Sequence, residues 1–510
     1  MKQANRTKNT VRNSFWGFAA QIIGIICKFI FRAVIIRKIG VEYVGLNGLF
    51  GSILTVLNMT ELGFGSAVIY MMYKPIAEYD TQEIRRLLNA IRKIYKYVGL
   101  FILAAGCCVY PFLSILVKND TGADVNIYVL YSMYLFHTVV SYLASAYRAT
   151  LFTAHQRRDI LSKIRLIMEI VCYSLQAIVL FATKNYYLYL LVYALSVIPT
   201  NILYYVYSKK CFPDIYCEGK ITDEQKASIK AKVLPLLGHR IGGKIIVSID
   251  DLIISACLGV TMLAQYDNYY YVFHSITTFL SILRSSVIAS LGNKLYKASN
   301  DEMYKTYKKV FFIWVTIVGW CTCFLIGLYQ PFIKMWVGGK YVYDNSIMIW
   351  ISMYFFVWQF RFIGVTMKDS AGLWEPDRWK PIIGMVLNLG FSILVVKLTG
   401  SILGVLIPTM CVMVFIYFPW ETHVLFKYIF HRSCREYLML AAKCVVSFAV
   451  SAAAVFAATV KIPLDGIGFF ILRFFLCIFI PAGFIFLFHF KTKQFQNVLQ
   501  DMKRIVKGLR

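Results

Sequence analysis

Apolar runs of about twenty residues follow one another from Phe15 to His489, each closed by a short polar or basic break, and no other feature restricts this chain more. A helix of that length crosses the ~30 Å hydrocarbon core at ~1.5 Å per residue. In lipid, every backbone polar group must be satisfied inside such a segment, so the chain is expected to be an all-α polytopic membrane protein. Composition agrees, because 59% of the 510 residues are hydrophobic and only 16% are charged. That apolar share exceeds what a water-soluble chain carries. The expected spans, about fourteen, are 14–36, 45–72, 98–117, 127–152, 164–183, 187–208, 236–258, 263–291, 310–333, 345–367, 381–396, 402–426, 438–460 and 468–489. The first run holds Lys28 and Arg32 and lacks a small-residue cleavage site, so it reads as a membrane helix and not a removable leader.

The net charge of +28 would suggest nucleic acid in a soluble protein. Here no nucleic-acid partner is expected, because the basic residues punctuate the apolar runs. If the N-terminus is inside, about two thirds of the 54 Lys and Arg fall in inside connections, which orients both termini to the cytoplasm. The outside connections are short and leave no room for an external domain. The thirteen cysteines show no metal-ligand spacing to histidine and read as small buried hydrophobes. Asp80 or Thr81 can cap a segment with Ile84, Leu87, Leu88, Ile91 and Ile94 on one face, read as a helix lying on the inner leaflet.

An offset of 219 residues pairs Gly40-Val41 with Gly259-Val260. Tyr73-Lys74 before Asp80 and Glu83 is echoed by Tyr296-Lys297 before Asp301 and Glu302. These echoes imply two parallel six-helix halves around a central cavity plus two C-terminal helices. The organisation expected is a cytoplasmic N-terminus (1–13), a first half (14–208), a cytoplasmic linker (209–235), a second half (236–426), helices 13 and 14 (427–489) and a basic cytoplasmic tail (490–510).

A charge at the bilayer centre costs about 2.5–3.5 kcal/mol on insertion scales, so intramembrane charges are where function is sought. Lys28 and Arg32 share a face of the first helix, and Asn58 and Glu61 share one on the second. His239, Arg240 and Lys244 lie near the inner end of the seventh helix, with Asp250 and Asp251 deeper. Adjacent aspartates point ~100° apart, so at most one faces a given cavity. Asp267 and Arg284 belong to the eighth helix and Arg361 to the tenth. Arg148, Lys443 and Arg473 sit near helix ends and read as snorkelling side chains. Glu61 or Asp251 could instead serve as a buried partner of Lys28 or Arg32. Tyr269 to Tyr271 suit an outer aromatic belt, with sugar stacking as the alternative. A wet cavity with more cations than anions fits an anionic substrate, phosphate or pyrophosphate above all.

The stretches at residues 12–54, 61–80 and 239–272 resemble those of the bacterial polysaccharide-transport flippases. These form the O-unit (Wzx-type) branch of the multidrug/oligosaccharidyl-lipid/polysaccharide exporter superfamily. The resemblance implies alternating access in the bacterial cytoplasmic membrane and an undecaprenyl-(pyro)phosphate-linked oligosaccharide as substrate. It also implies a polysaccharide polymerase and other assembly proteins as partners. The family's cationic cavity would map onto Lys28, Arg32, Arg240, Lys244 and Arg284, with Asn58 beside them. Its deep acid would map onto Asp250 or Asp251, which with Glu61 could couple transport to Na+ or H+; no other cofactor is expected. A lipid II flippase is the near alternative, and a MATE-type drug exporter fits a cationic cavity poorly. A membrane glycan polymerase would need a larger outer loop or a nucleotide-sugar motif, and a scaffold would have no reason to bury charges. No GxxxxGK[ST], HExxH or nucleophile triad is present.

Single cysteines placed at Asp120 or Asn345 in a cysteine-free background should label from outside with an impermeant thiol reagent, and one at Asp223 should not. External labelling at 223 would overturn the orientation.

Overall fold

The computed structural model describes residues 6–58, 64–117, 125–227, 248–295 and 299–508, and among them there is helix but no strand. Ten helices are long and apolar enough to cross a membrane. They become eleven if Ile127–Leu143 and Arg148–Ala154, bent by 57° at their junction, form one broken span. These eleven coincide one for one with expected spans, so the count of fourteen is not reproduced. Of the remaining three, the second is represented by a helix of only 16 residues, Glu42–Leu57, and the separate helix Phe64–Glu78. Residues 236–247 of the seventh lie outside the described set, and the 36-residue helix Val260–Leu295 is not among the ten. The chain divides into two compact units, Met1–Ala264 and Gln265–Arg510.

The first unit contains α1 (Arg6–Lys38), α2 (Glu42–Leu57), α3 (Phe64–Glu78), α4 (Thr81–Val109), α5 (Ile127–Leu143), α6 (Arg148–Ala154), α7 (Arg158–Thr183), α8 (Tyr186–Leu195) and α9 (Val197–Cys211). The break between the fifth and sixth spans is sharp: Lys184 is left-handed at φ 52°, and the Asn185 side chain caps the next helix by accepting from the Tyr187 and Leu188 amides. α1 and α7 run in parallel. Asn13 accepts from the Asp159 amide at 2.8 Å, Arg12 and Arg157 both reach the Asp159 carboxylate at 3.1 Å, and further along Phe31 stacks on Tyr173 at 4.7 Å.

The segment read as an inner-leaflet helix is instead the first half of α4, continuous with the span that follows. Asp80 does cap it, accepting from the Glu83 amide, but its apolar face is covered by protein and not by lipid. Leu87, Leu88 and Ile91 pack with Met72 of α3 and with Leu151 and Phe152 of α6. The linker is docked there too: Arg85 donates to the Asp214 carbonyl at 2.9 Å and to the Tyr216 hydroxyl at 2.8 Å, and Asn89 donates to the Gly219 carbonyl at 2.7 Å. Nearby Asp223, with Lys226 Nζ at 2.7 Å, is held below the usual carboxylate range by that hydrogen bond and charge.

α10 (Val260–Leu295), in which the unit boundary falls, leads to α11 (Asn300–Val337), α12 (Asn345–Phe360), α13 (Phe362–Ser370), α14 (Lys380–Thr399), α15 (Leu403–Val412), α16 (Phe418–Leu425), α17 (Arg435–Thr459), α18 (Ile467–His489) and α19 (Lys493–Gly508). The 219-residue echo has a structural counterpart. Gly40 and Gly259 both adopt positive φ, 129° and 97°, where one helix stops and the next begins. The helices starting at Thr81 and Asn300 are also 219 residues apart, and so are their caps: Asp80 accepts from Glu83 N, and Ser299 accepts from Glu302 N. The sequence echo sets Asp80 and Glu83 against Asp301 and Glu302; at the caps Glu302 is the equivalent of Glu83, and Ser299, not Asp301, is the equivalent of Asp80.

One end of the second unit is held by a buried ion network. Arg361 forks onto Glu421, with Nε at 3.1 Å from Oε2. Lys380 bridges Glu421 at 2.7 Å and Asp377 at 2.9 Å, and Lys368 pairs with Asp377. Lys368 and Asp377 are wholly inaccessible. Removing one member strands the others, so Asp377→Ala should cost about 3–5 kcal/mol and show as a lowered midpoint in thermal unfolding of the purified protein. Combining it with Lys368→Met should recover most of the loss.

Candidate functional site

Lys28 and Arg32 lie one turn apart on α1, as the spacing requires. Lys28 is exposed, and its charged neighbours are Glu169 and Arg165 of α7. Gly24, one turn earlier on the same face, leaves the room that Glu169 uses: a Cβ there would lie 2.8 Å from Glu169 Oε2. Arg165 Nε holds the other carboxylate oxygen, Oε1, at 2.9 Å. Arg32 is half-buried, and its Nη2 donates to the Ala264 carbonyl at 3.4 Å. α1 thus presents a cationic pair within a span.

The acids behave differently. Asp250 and Asp251 are both buried, and Asp251 accepts a hydrogen bond from the Ser52 hydroxyl of α2. α2 approaches this segment closely, since a Cβ on Gly45 would lie 2.2 Å from the Val260 carbonyl oxygen. Asn58 ends α2 as its C-cap, with its side-chain oxygen buried and making no hydrogen bond within the described protein. Glu61, His239, Arg240 and Lys244 lie outside the described residues. Arg284 is found in the second unit, stacked over the Phe362 ring at 4.4 Å with Asp369 as its charged neighbour.

Sequence reasoning passed over Arg165 and Glu169. Their signal was present, an Arg/Glu pair four residues apart inside an apolar run, but its closeness to the start of the run made it look like part of the break. Several other readings need correction. Arg148 and Arg473 do not snorkel. Both are buried: Arg148 bonds to the Ser208 hydroxyl at 2.9 Å, and Arg473 bonds to the Gly327 and Ile462 carbonyls at 3.0 and 2.6 Å. Tyr269 is neither belt nor sugar platform, for it is buried, donates to Gln330 at 2.6 Å and accepts from the Tyr343 amide at 3.0 Å. Among the cysteines only Cys323, Cys444 and Cys477 are buried, while Cys107, Cys108 and Cys411 face outward.

The second unit also holds a cavity of about 530 Å³ between α11, α12, α17 and the π-helical turn Met413–Tyr417. Its wall is made of side chains such as Ile326, Met353, Phe356 and Phe448, and its one charged residue, Arg361, is committed to Glu421. Such a wall can take an aliphatic chain but offers nothing to a phosphate or a sugar.

No curated protein matches this chain in sequence. Solved structures do resemble it in fold. An inward-facing multidrug resistance MATE family transporter of the MOP superfamily is 14% identical with a TM-score of 0.61, covering 79% of this chain and 94% of that one. The lipid II flippase MurJ in an inward closed conformation is 14% identical with a TM-score of 0.60, covering 94% and 99%. A MOP superfamily transporter from Pyrococcus furiosus, described as having a binding pocket of reverse polarity, is 13% identical with a TM-score of 0.53, covering 84% and 97%. Residues 10–289 match the family model described as polysaccharide biosynthesis protein. With more than half of its length inside that match, the chain belongs to the polysaccharide biosynthesis protein family, as a multi-pass membrane protein with the fold of the MOP-superfamily transporters.

Proposed function

We propose that this protein is a flippase. It moves undecaprenyl-(pyro)phosphate-linked oligosaccharide repeat units from the inner to the outer leaflet of the bacterial cytoplasmic membrane, by alternating access, for surface polysaccharide synthesis. The observation that carries this reading is the exposed Lys28 beside Arg32 on one face of a membrane-spanning helix. A cation left open in such a segment is costly unless water or an anion reaches it. Lys and Arg bind phosphate oxygens through charge-assisted hydrogen bonds, Arg in a two-pronged manner. Family membership and the fold of flippases and exporters support transport over enzymatic chemistry.

In this mechanism the carrier's phosphate seats on Lys28 and Arg32, the glycan follows it into the wet interior, and the prenyl chain stays in lipid. Arg240, Lys244, Arg284 and Asn58 are proposed to complete the substrate contacts. Glu61 and one of the two aspartates, Asp250 or Asp251, are proposed to bind the coupling Na+ or H+. In this reading both termini lie in the cytoplasm, and a polysaccharide polymerase and other assembly proteins act in concert with the chain.

Depletion of the protein in its host, followed by mass spectrometry of prenyl-linked intermediates, tests the reading. A complete, unpolymerised repeat unit should accumulate inside the cell. Accumulation of lipid II would identify a peptidoglycan-precursor flippase instead, and polymer of altered length with normal export would indicate an enzyme.

Substitutions separate a binding role from a packing role. Lys28→Ala and Arg32→Ala should leave abundance unchanged and lower export by about tenfold or more each, as loss of a charge-assisted contact implies. Lys28→Arg should keep part of the activity, and Arg32→Lys should keep less. Restoration of export by Arg32→Ala together with Asp251→Asn would make Arg32 a structural partner and contradict its contact with substrate.

A further inference from the structure

Glu169 is the acid that faces Lys28, and nothing in the proposed substrate set explains it. The parallel packing of α1 on α7 places its carboxylate against Gly24, where the absence of a side chain makes room for it. One oxygen is held by Arg165 at 2.9 Å. The other is buried and makes no hydrogen bond within the described protein. An unsatisfied buried carboxylate oxygen is unfavourable, and rotation toward a neighbouring ammonium relieves it. Lys28, one turn further along α1, is that ammonium, and Cys27 and Cys172 are further titratable neighbours of the carboxylate.

We propose that Glu169 is a positioning residue that competes with the substrate phosphate for Lys28. This rests on the reading of Lys28 as a phosphate-binding residue. When the phosphate arrives, its larger charge and additional acceptor oxygens displace the carboxylate, which Arg165 then retains. When the phosphate leaves, Glu169 is free to swing from Arg165 toward Lys28 and compensate its charge. A transporter must release what it binds, and a built-in counter-ion trades affinity for turnover. Arg165 sets the balance, because it holds the carboxylate away from Lys28.

The test uses the full chain in lipid nanodiscs, with farnesyl pyrophosphate as the probe and calorimetry as the readout. Glu169→Gln keeps the shape and removes the charge, and should bind the probe about tenfold more tightly than the native protein. In a Lys28→Gln background the same change should have no effect, because the competition acts through that lysine. Arg165→Gln should weaken binding, and adding Glu169→Gln should reverse the loss. Equal affinity in the native protein and in folded Glu169→Gln would overturn the proposal and leave the phosphate-binding reading standing. Tightening that persists without Lys28 would also overturn it, since the carboxylate would then be acting as a distant charge. Absence of probe binding in every variant would overturn the reading of Lys28 and the proposal together.

Discussion

A charge carried into hydrocarbon has three ways to lower its energy: an opposite charge, a set of hydrogen-bonding carbonyls, or water. Left with none, it costs several kcal/mol, a large fraction of the net stability of a domain. The side chains of this protein sort by which solution they use. Arg473 takes carbonyls at 3.0 and 2.6 Å, and Lys368, Lys380 and Arg361 take carboxylates in a buried network. Lys28 remains exposed within a membrane span, with an acid close by that has been drawn toward an arginine.

That contrast separates scaffold from site. A network whose members satisfy one another holds helix ends together and has no capacity to spare for a ligand, however many charges it contains. The aspartates at 250 and 251 are both buried, and Asp251 accepts from the Ser52 hydroxyl. Lys28 is exposed, Arg32 is half-buried with one donor on the Ala264 carbonyl, and Gly24 lets the Glu169 carboxylate approach this face of α1. Chemistry that binds an anion and lets it go again needs this intermediate condition, in which a cation is partly compensated and still reachable.

Eleven of the expected spans were legible because hydropathy over twenty residues is enforced by the solvent and not by packing detail. The 219-residue echo was legible for a related reason: Gly40 and Gly259 hold backbone conformations that other residues rarely adopt, and the caps at Asp80 and Ser299 are chemically restricted. What the sequence concealed was which face of a helix meets protein and which meets lipid. An amphipathic pattern looks the same in both cases, so in sequence the start of α4 reads as a surface helix although protein covers its apolar face. Arg148 and Arg361 find Ser208 and Glu421 60 residues away, and one of the two carbonyls on Arg473, that of Gly327, is 146 residues away, beyond the reach of any local pattern. Glu169 belongs to the same class, because its meaning comes from a helix more than a hundred residues earlier in the chain.

The most direct measurement is lipid movement in a vesicle containing the purified chain and nothing else. A fluorescent oligosaccharide on a short prenyl pyrophosphate would be loaded in both leaflets, and its exposure read by an impermeant quencher added outside. The native chain should render the whole pool quenchable within the experiment, and a chain lacking the Lys28 charge should render only the outer half quenchable. Equal quenching by the two proteins, or by protein-free vesicles, would contradict it.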